Sequence, residues 1–143
     1  MEIQTLNVSF NNQIKDLSYP IFIGNNLLAN SGELLEKHII NRKVIIIYDD
    51  YFSEKGNLNE SFHHFYQSIK KISHYVSLIG IPGGDQTKNM NQLIKLVNEI
   101  LSLEIDRDSL IIAFGGGVIG DIAGFVASIL LRGINFIQVP TTL

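Results

Sequence analysis

The sequence predicts an open, mainly parallel α/β sheet with flanking helices and an antiparallel β-hairpin at its N-terminus. Three observations predict it. Short apolar runs recur along the chain: KVIIIY at 43–48, YVSLIGI at 75–81, SLIIAF at 109–114 and INFIQVP at 134–140. A strand that is apolar at nearly every position is buried on both faces, as in parallel sheets. Amphipathic helical stretches separate these runs, giving the order β-α-β-α-β-α-β, which right-handed crossovers wind into one sheet. Turn-forming residues also cluster where the strands end, above all in GGGVIGD at 115–121.

Taken in order, residues 2–10 and 17–23 have strand character, and NNQ at 11–13 sits between them as a hairpin turn. In GNNLLANSGELLEKHI, residues Leu27, Leu28, Leu34, Leu35 and Ile39 recur near helical spacing. Asn25 or Asn26 is the expected N-cap and Gly32 the weak point of that helix. Residues 59–71 carry Phe62, Phe65, Tyr66 and Ile69 on one side of a helix. The clearest helix is 88–103, where Met90, Leu93, Ile94, Val97, Ile100 and Leu101 form one stripe. A last helix is expected over 118–131.

Composition narrows the function classes. The 143 residues are 45% hydrophobic and 17% charged, so the chain can bury a core. A net charge of -3 without a basic stripe argues against a nucleic-acid partner. The absence of cysteine excludes disulfides, thiolate metal sites and cysteine nucleophiles. MEIQTLNVSF has neither a basic nor an apolar signal region, so a cytoplasmic location is expected. From Leu110 to Leu131 the only charge is Asp121, a length that could span a bilayer. Gly115 to Gly117 would break such a helix near its middle, so no membrane association is expected. The end at VPTTL, just past a strand, suggests a fragment.

Ligands of open α/β sheets sit beyond the carboxyl ends of the strands. Three segments there are rich in small or polar residues: PGGDQTK (82–88), GGGVIGD (115–121) and PTTL (140–143). Glycine lets a phosphate approach bare N–H groups, and a following helix N-terminus adds positive partial charge. Gly115, Gly117 and Gly120 match G-x-G-x-x-G, yet no acid occurs after Asp121, so the ordinary dinucleotide fingerprint fails its context. No G-K-[ST] is present either. Four glycines together favour a ligand over a plain turn. Asp121 either complements a helix dipole or contacts that ligand. Asp85 either caps the next helix or joins the site, and Lys88, unexpected in a first helical turn, suggests an anion or ribose nearby. Thr141 and Thr142 are equally suited to capping and to binding. His38, His63, His64 and His74 show no metal spacing and read as surface or packing residues.

PGGDQTK, then GGGVIGDIAGFVAS, then RGINFIQVPTTL resemble, in order and spacing, the N-terminal domain of the 3-dehydroquinate synthase family. The resemblance implies a Rossmann-like NAD-binding domain over 1–143, without the family's α-helical metal-binding domain. It further implies conversion of 3-deoxy-D-arabino-heptulosonate 7-phosphate to 3-dehydroquinate and phosphate in the shikimate pathway. The cofactors it implies are NAD and a divalent metal, zinc or cobalt, with ligands outside this chain, and it implies a homodimer for the full-length enzyme.

By motif, Gly83, Gly84, Asp85, Gln86, Thr87 and Lys88 would hold the adenosine ribose side of NAD. Gly116, Gly117, Val118, Ile119, Gly120 and Asp121 would hold its pyrophosphate and nicotinamide side. Thr141 and Thr142 would also touch the dinucleotide, Asp49 would lie near the adenosine, and Arg132 would meet substrate phosphate, with a dimer interface as one route. Two positions depart from the family pattern: Asp85 replaces a Glu, and Tyr51 stands where an Asn is common. A related sugar-phosphate cyclase, a metal-dependent polyol dehydrogenase and a non-catalytic nucleotide-binding module are the alternatives.

Overall fold

A computed structural model describes residues 3–9, 18–54, 57–73 and 75–142. β1 (Ile3–Val8) and β2 (Tyr19–Gly24) pair antiparallel, from Ile3 opposite Gly24 to Val8 opposite Tyr19. The expected turn at 11–13 lies outside the described residues. After α1 (Ser31–Ile39), the chain alternates β3 (Lys43–Asp49), a minor hairpin of β4 (Ser53–Glu54) and β5 (Asn57–Leu58), α2 (Glu60–Lys70), β6 (Tyr75–Ile81), α3 (Met90–Ser102), β7 (Leu110–Gly115), α4 (Gly117–Ile129) and β8 (Asn135–Pro140). The four long strands form one parallel sheet in the order β6-β3-β7-β8.

Side-chain alternation across this sheet builds two cores. Ile45, Ile47, Ile111 and Ala113 face Leu96 and Ile100 of α3 and Ile119, Ile122, Ala123 and Val126 of α4. Val44, Ile46, Leu110, Ile112 and Phe114 face Leu35 and Ile39 of α1 and Phe62, Phe65 and Ile69 of α2. Every residue of β7 is buried, which explains its unbroken apolar run. The apolar stretch from Leu110 to Leu131 is therefore a central strand and its covering helix. Among the described residues no helix is long and apolar enough to cross a membrane.

Phe114 is the hub of the second core. Its ring centroid lies 5.0 Å from that of Phe52, 4.8 Å from Phe62 and 4.9 Å from Phe65. Aromatic pairs at such separations contribute beyond simple area burial. Because Phe114 directly precedes Gly115, this cluster pins the end of β7.

Several expected boundaries shift. Neither Asn25 nor Asn26 caps a helix; Asn26 has φ 57, and a 3-10 turn at Leu28–Asn30 precedes α1, whose N-cap is Asn30. Gly32 is not a weak point, because α1 crosses α2 there. A Cβ at Gly32 would run into the Ser68 carbonyl, and the Gly32 N–H donates to the Ser68 hydroxyl at 2.6 Å. The helix expected at 88–103 starts at Met90, capped by Asn89, whose side chain accepts from the Gln92 N–H at 2.9 Å. Lys88 thus precedes that helix, and Asp85 does not cap it. The helix expected to reach 131 stops at Ile129; Leu131 (φ 50), Arg132 (φ 74) and Gly133 (φ 102) then take left-handed conformations.

Two predictions follow from this packing. Phe114→Ala should lower the unfolding free energy by about 3–5 kcal/mol, measured by chemical denaturation. His38 is half-buried, and its pKa is lowered, first by burial and then by Lys37 and Arg42. The neutral imidazole is therefore favoured in the fold. Its contribution should be present above the unfolded value of about 6.5 and lost as pH falls through the lowered folded value. His38→Gln should flatten that part of the stability-versus-pH curve.

Candidate functional site

All four strands run the same way, so their carboxyl ends share one edge. β3 connects onward to β6 on one side, whereas β7 connects to β8 on the other. The order reverses between β3 and β7, the position where open α/β sheets open a crevice for ligands. Asp49 ends β3 and Gly115 ends β7, on either side of it. Thr141 and Thr142 follow β8, and the Thr141 N–H donates to the Gly115 carbonyl at 2.9 Å.

On the β3 side, the Asp49 carboxylate accepts from the Tyr51 N–H at 3.0 Å through Oδ1. A Cβ at Gly83 would lie 2.5 Å from its Oδ2. Asp50, which sequence reasoning missed, packs in the same way against Gly80 of β6. Adjacent acids at a strand end, facing glycines spaced three apart, were the available signal. Gly84 has φ 94 and turns the chain into a 3-10 turn at Asp85–Thr87. Within it Thr87 is buried, and its hydroxyl donates to the Gly83 carbonyl at 3.4 Å. Gln86 and Asp85 are exposed beside it.

GGGVIGD is a strand–helix junction rather than a loop. Gly115 is the last residue of β7, Gly116 the N-cap of α4 and Gly117 its first residue. Val118, Ile119, Gly120 and Asp121 are already helical, and Asp121 lies beyond the first turn. The glycines have different tasks. A Cβ at Gly120 would strike the Gln138 side chain of β8; one at Gly116 would lie 3.2 Å from Thr142 Oγ1, and one at Gly124 3.5 Å from the Phe136 ring. Gly120 and Gly124 let α4 lie close against β8, and Gly116 lets the helix start lie beside Thr142, just past that strand. Gln138 is a further polar neighbour that periodicity could not reveal. Gly117 is different: it is exposed, with nothing within 4 Å of its Cβ position. No side chain caps α4, so the N–H groups of its first turn remain for an outside acceptor.

Lys88 joins the two halves. Its Nζ lies 2.8 Å from Asp121 Oδ2 and 3.5 Å from Asp85 Oδ1. The hydrogen bond to Asp121 is the main cause of its raised pKa; partial desolvation opposes it, and Asp85 adds to it. Beside this ion pair a cleft of about 370 Å³ is lined by Thr87, Met90, Leu93, Ile122 and Phe125. Polar groups at the rim and apolar walls suit a ligand with both characters.

The structure thus brings Asp49, Gly83 to Lys88, Gly116 to Asp121, Thr141 and Thr142 to one edge. Arg132 is not among them. α4 runs back from that edge, so Arg132, just after its end, lies toward the opposite edge of the sheet. His63 and His64 are exposed on α2, and His74 lies outside the described residues. Among the described residues no three His, Asp or Glu side chains are grouped to hold a metal.

A bare helix N-terminus, an open glycine and acids at the neighbouring strand end fit a nucleotide with ribose and phosphate groups. Residues 78–143 match the family described as 3-dehydroquinate synthase N-terminal. The chain is 41% identical over 135 residues to 3-dehydroquinate synthase from Thermoanaerobacter pseudethanolicus, covering 91% of this chain and 35% of that protein. It is 37% identical over 146 residues to 3-dehydroquinate synthase from Coxiella burnetii, covering 100% of this chain and 36% of that protein. Its fold is similar to the crystal structure of 2-deoxy-scyllo-inosose synthase complexed with carbaglucose-6-phosphate, NAD+ and Co2+, with a TM-score of 0.77 and 24% identity over 97% of this chain and 35% of that one. The chain spans about a third of the length of these relatives. Over residues 78–143 it is similar to the 3-dehydroquinate synthase N-terminal domain family.

Proposed function

We propose that the chain binds NAD along the carboxyl edge of its sheet, as the cofactor-holding portion of a 3-dehydroquinate synthase. The observation that carries this reading is a coincidence of place. The three strand-end segments that converge on one edge, 82–88, 115–121 and 140–142, all fall inside the stretch that matches the family. The reaction proposed for the whole enzyme converts 3-deoxy-D-arabino-heptulosonate 7-phosphate to 3-dehydroquinate and phosphate, in the cytoplasm.

In this reading Asp49 and residues Gly83 to Lys88 take the adenosine ribose, since carboxylates accept hydrogen bonds from ribose hydroxyls. The first turn of α4 takes the pyrophosphate: Gly117 gives it room, and the Gly117 and Val118 N–H groups give it donors. Ile119 and Gly120 seat the helix, Asp121 lies toward the nicotinamide, and Thr141 and Thr142 flank the junction. NAD, when bound, supplies a hydride acceptor. The divalent metal, zinc or cobalt, would be held by residues beyond those described. Arg132 would serve substrate phosphate only across a subunit boundary, consistent with a homodimer.

Fluorescence titration with NADH tests the cofactor site. Gly117→Val should abolish binding while leaving the melting temperature nearly unchanged, because the added side chain meets nothing inside the protein. Unaltered affinity in that variant would overturn the assignment. A full-length enzyme carrying this domain should release phosphate from the heptulosonate phosphate when NAD and metal are present. Absence of release would refute the proposed reaction.

A further inference from the structure

The ion pairs found among the described residues both converge on the Lys88 ammonium. The fold does not need that arrangement. Lys88 sits just before the N-cap of α3, where the helix dipole disfavours a cation. The side chains are exposed, 40% for Lys88 and 67% for Asp121, so the pair adds little to stability. Its placement matters for charge instead. Asp121 projects from α4 little more than one turn past the bare N-terminus, and Asp85 lies on the facing turn. Two carboxylates would repel an anion arriving at that helix end. Lys88, 2.8 Å from one and 3.5 Å from the other, is the cation between them.

We propose that Lys88 is a positioning residue that promotes dinucleotide binding through Asp121, by offsetting its charge beside the α4 N-terminus and holding it toward α3. This rests on the cofactor reading above and adds that the main effect of Lys88 is indirect. A lysine acting by its own contact with the ligand would matter equally whatever stands at 121. A lysine acting through Asp121 loses its importance once that charge is gone.

A double-mutant cycle on NADH affinity separates the two. Lys88→Met should weaken binding about tenfold when Asp121 is present. In an Asp121→Asn background the same change should cost less than about threefold. Lys88→Arg should keep most of the affinity, because it keeps the charge. The difference between the two backgrounds should shrink with added sodium chloride, since the pair is exposed to screening. An equal cost in both backgrounds, or no cost in either, overturns the inference while leaving the cofactor site intact. Failure of the unaltered chain to bind NADH at millimolar concentration instead overturns the cofactor reading and this inference with it. Thermal melts of all four proteins establish that each is folded.

Discussion

Burial of β7 on both faces is the constraint on which the rest of the architecture depends. Ile111 and Ala113 are locked under α3 and α4, while Leu110, Ile112 and Phe114 are locked against α1 and α2. A strand held so cannot slide by one residue without turning every side chain into the wrong layer. Its end is fixed by the Phe114 cluster, and the backbone that follows, Gly115 to Gly117, therefore emerges at a defined place. The edge proposed to bind the cofactor inherits its precision from the core and not from the junction itself.

The chemistry of that edge is a balance between hydroxyl acceptors and anion donors. Acids stand at Asp49, Asp50, Asp85 and Asp121, and they suit ribose. The uncapped start of α4 suits phosphate. The two preferences conflict unless a cation sits between them, which is the position Lys88 occupies. The apolar cleft alongside is walled by Leu93, Ile122 and Phe125, so the edge carries acidic, N–H-donating and apolar regions side by side.

The parallel class and the strands themselves were legible in the sequence, because two-sided burial leaves continuous apolar runs such as SLIIAF. The α3 stripe was legible for the related reason that one face is buried. Strand order was not, since nothing local tells β6 to lie beside β3 and opposite to β8. The start of α1 was misread because Leu27 and Leu28 are apolar for a 3-10 turn that packs Leu28 on the core. The glycines were legible as a group and illegible one by one. Gly32 answers to Ser68, and Gly120 to Gln138; such partners are distant in sequence and meet only in the fold. The segments that carry the family resemblance were readable because backbone geometry dictates part of their residue types, as at Gly84 with φ 94.

The glycine stripe of α4 has a consequence for when the binding edge exists at all. Gly117, Gly120 and Gly124 lie within thirteen residues of helix, and each interior glycine costs roughly 1 kcal/mol relative to alanine. α4 has little propensity to be helical alone. It acquires its order by burying Ile119, Ile122, Ala123 and Val126 against β3 and β7, with Gln138 and Phe136 of β8 alongside, and among the described strands β8 in turn pairs only with β7. The helix and the last strand must therefore assemble together. The row of uncapped N–H groups at the start of α4 is then a property of the assembled sheet edge, appearing with it. A lesion that loosens the sheet under α4, even one far from the cleft, therefore disturbs that helix end as well.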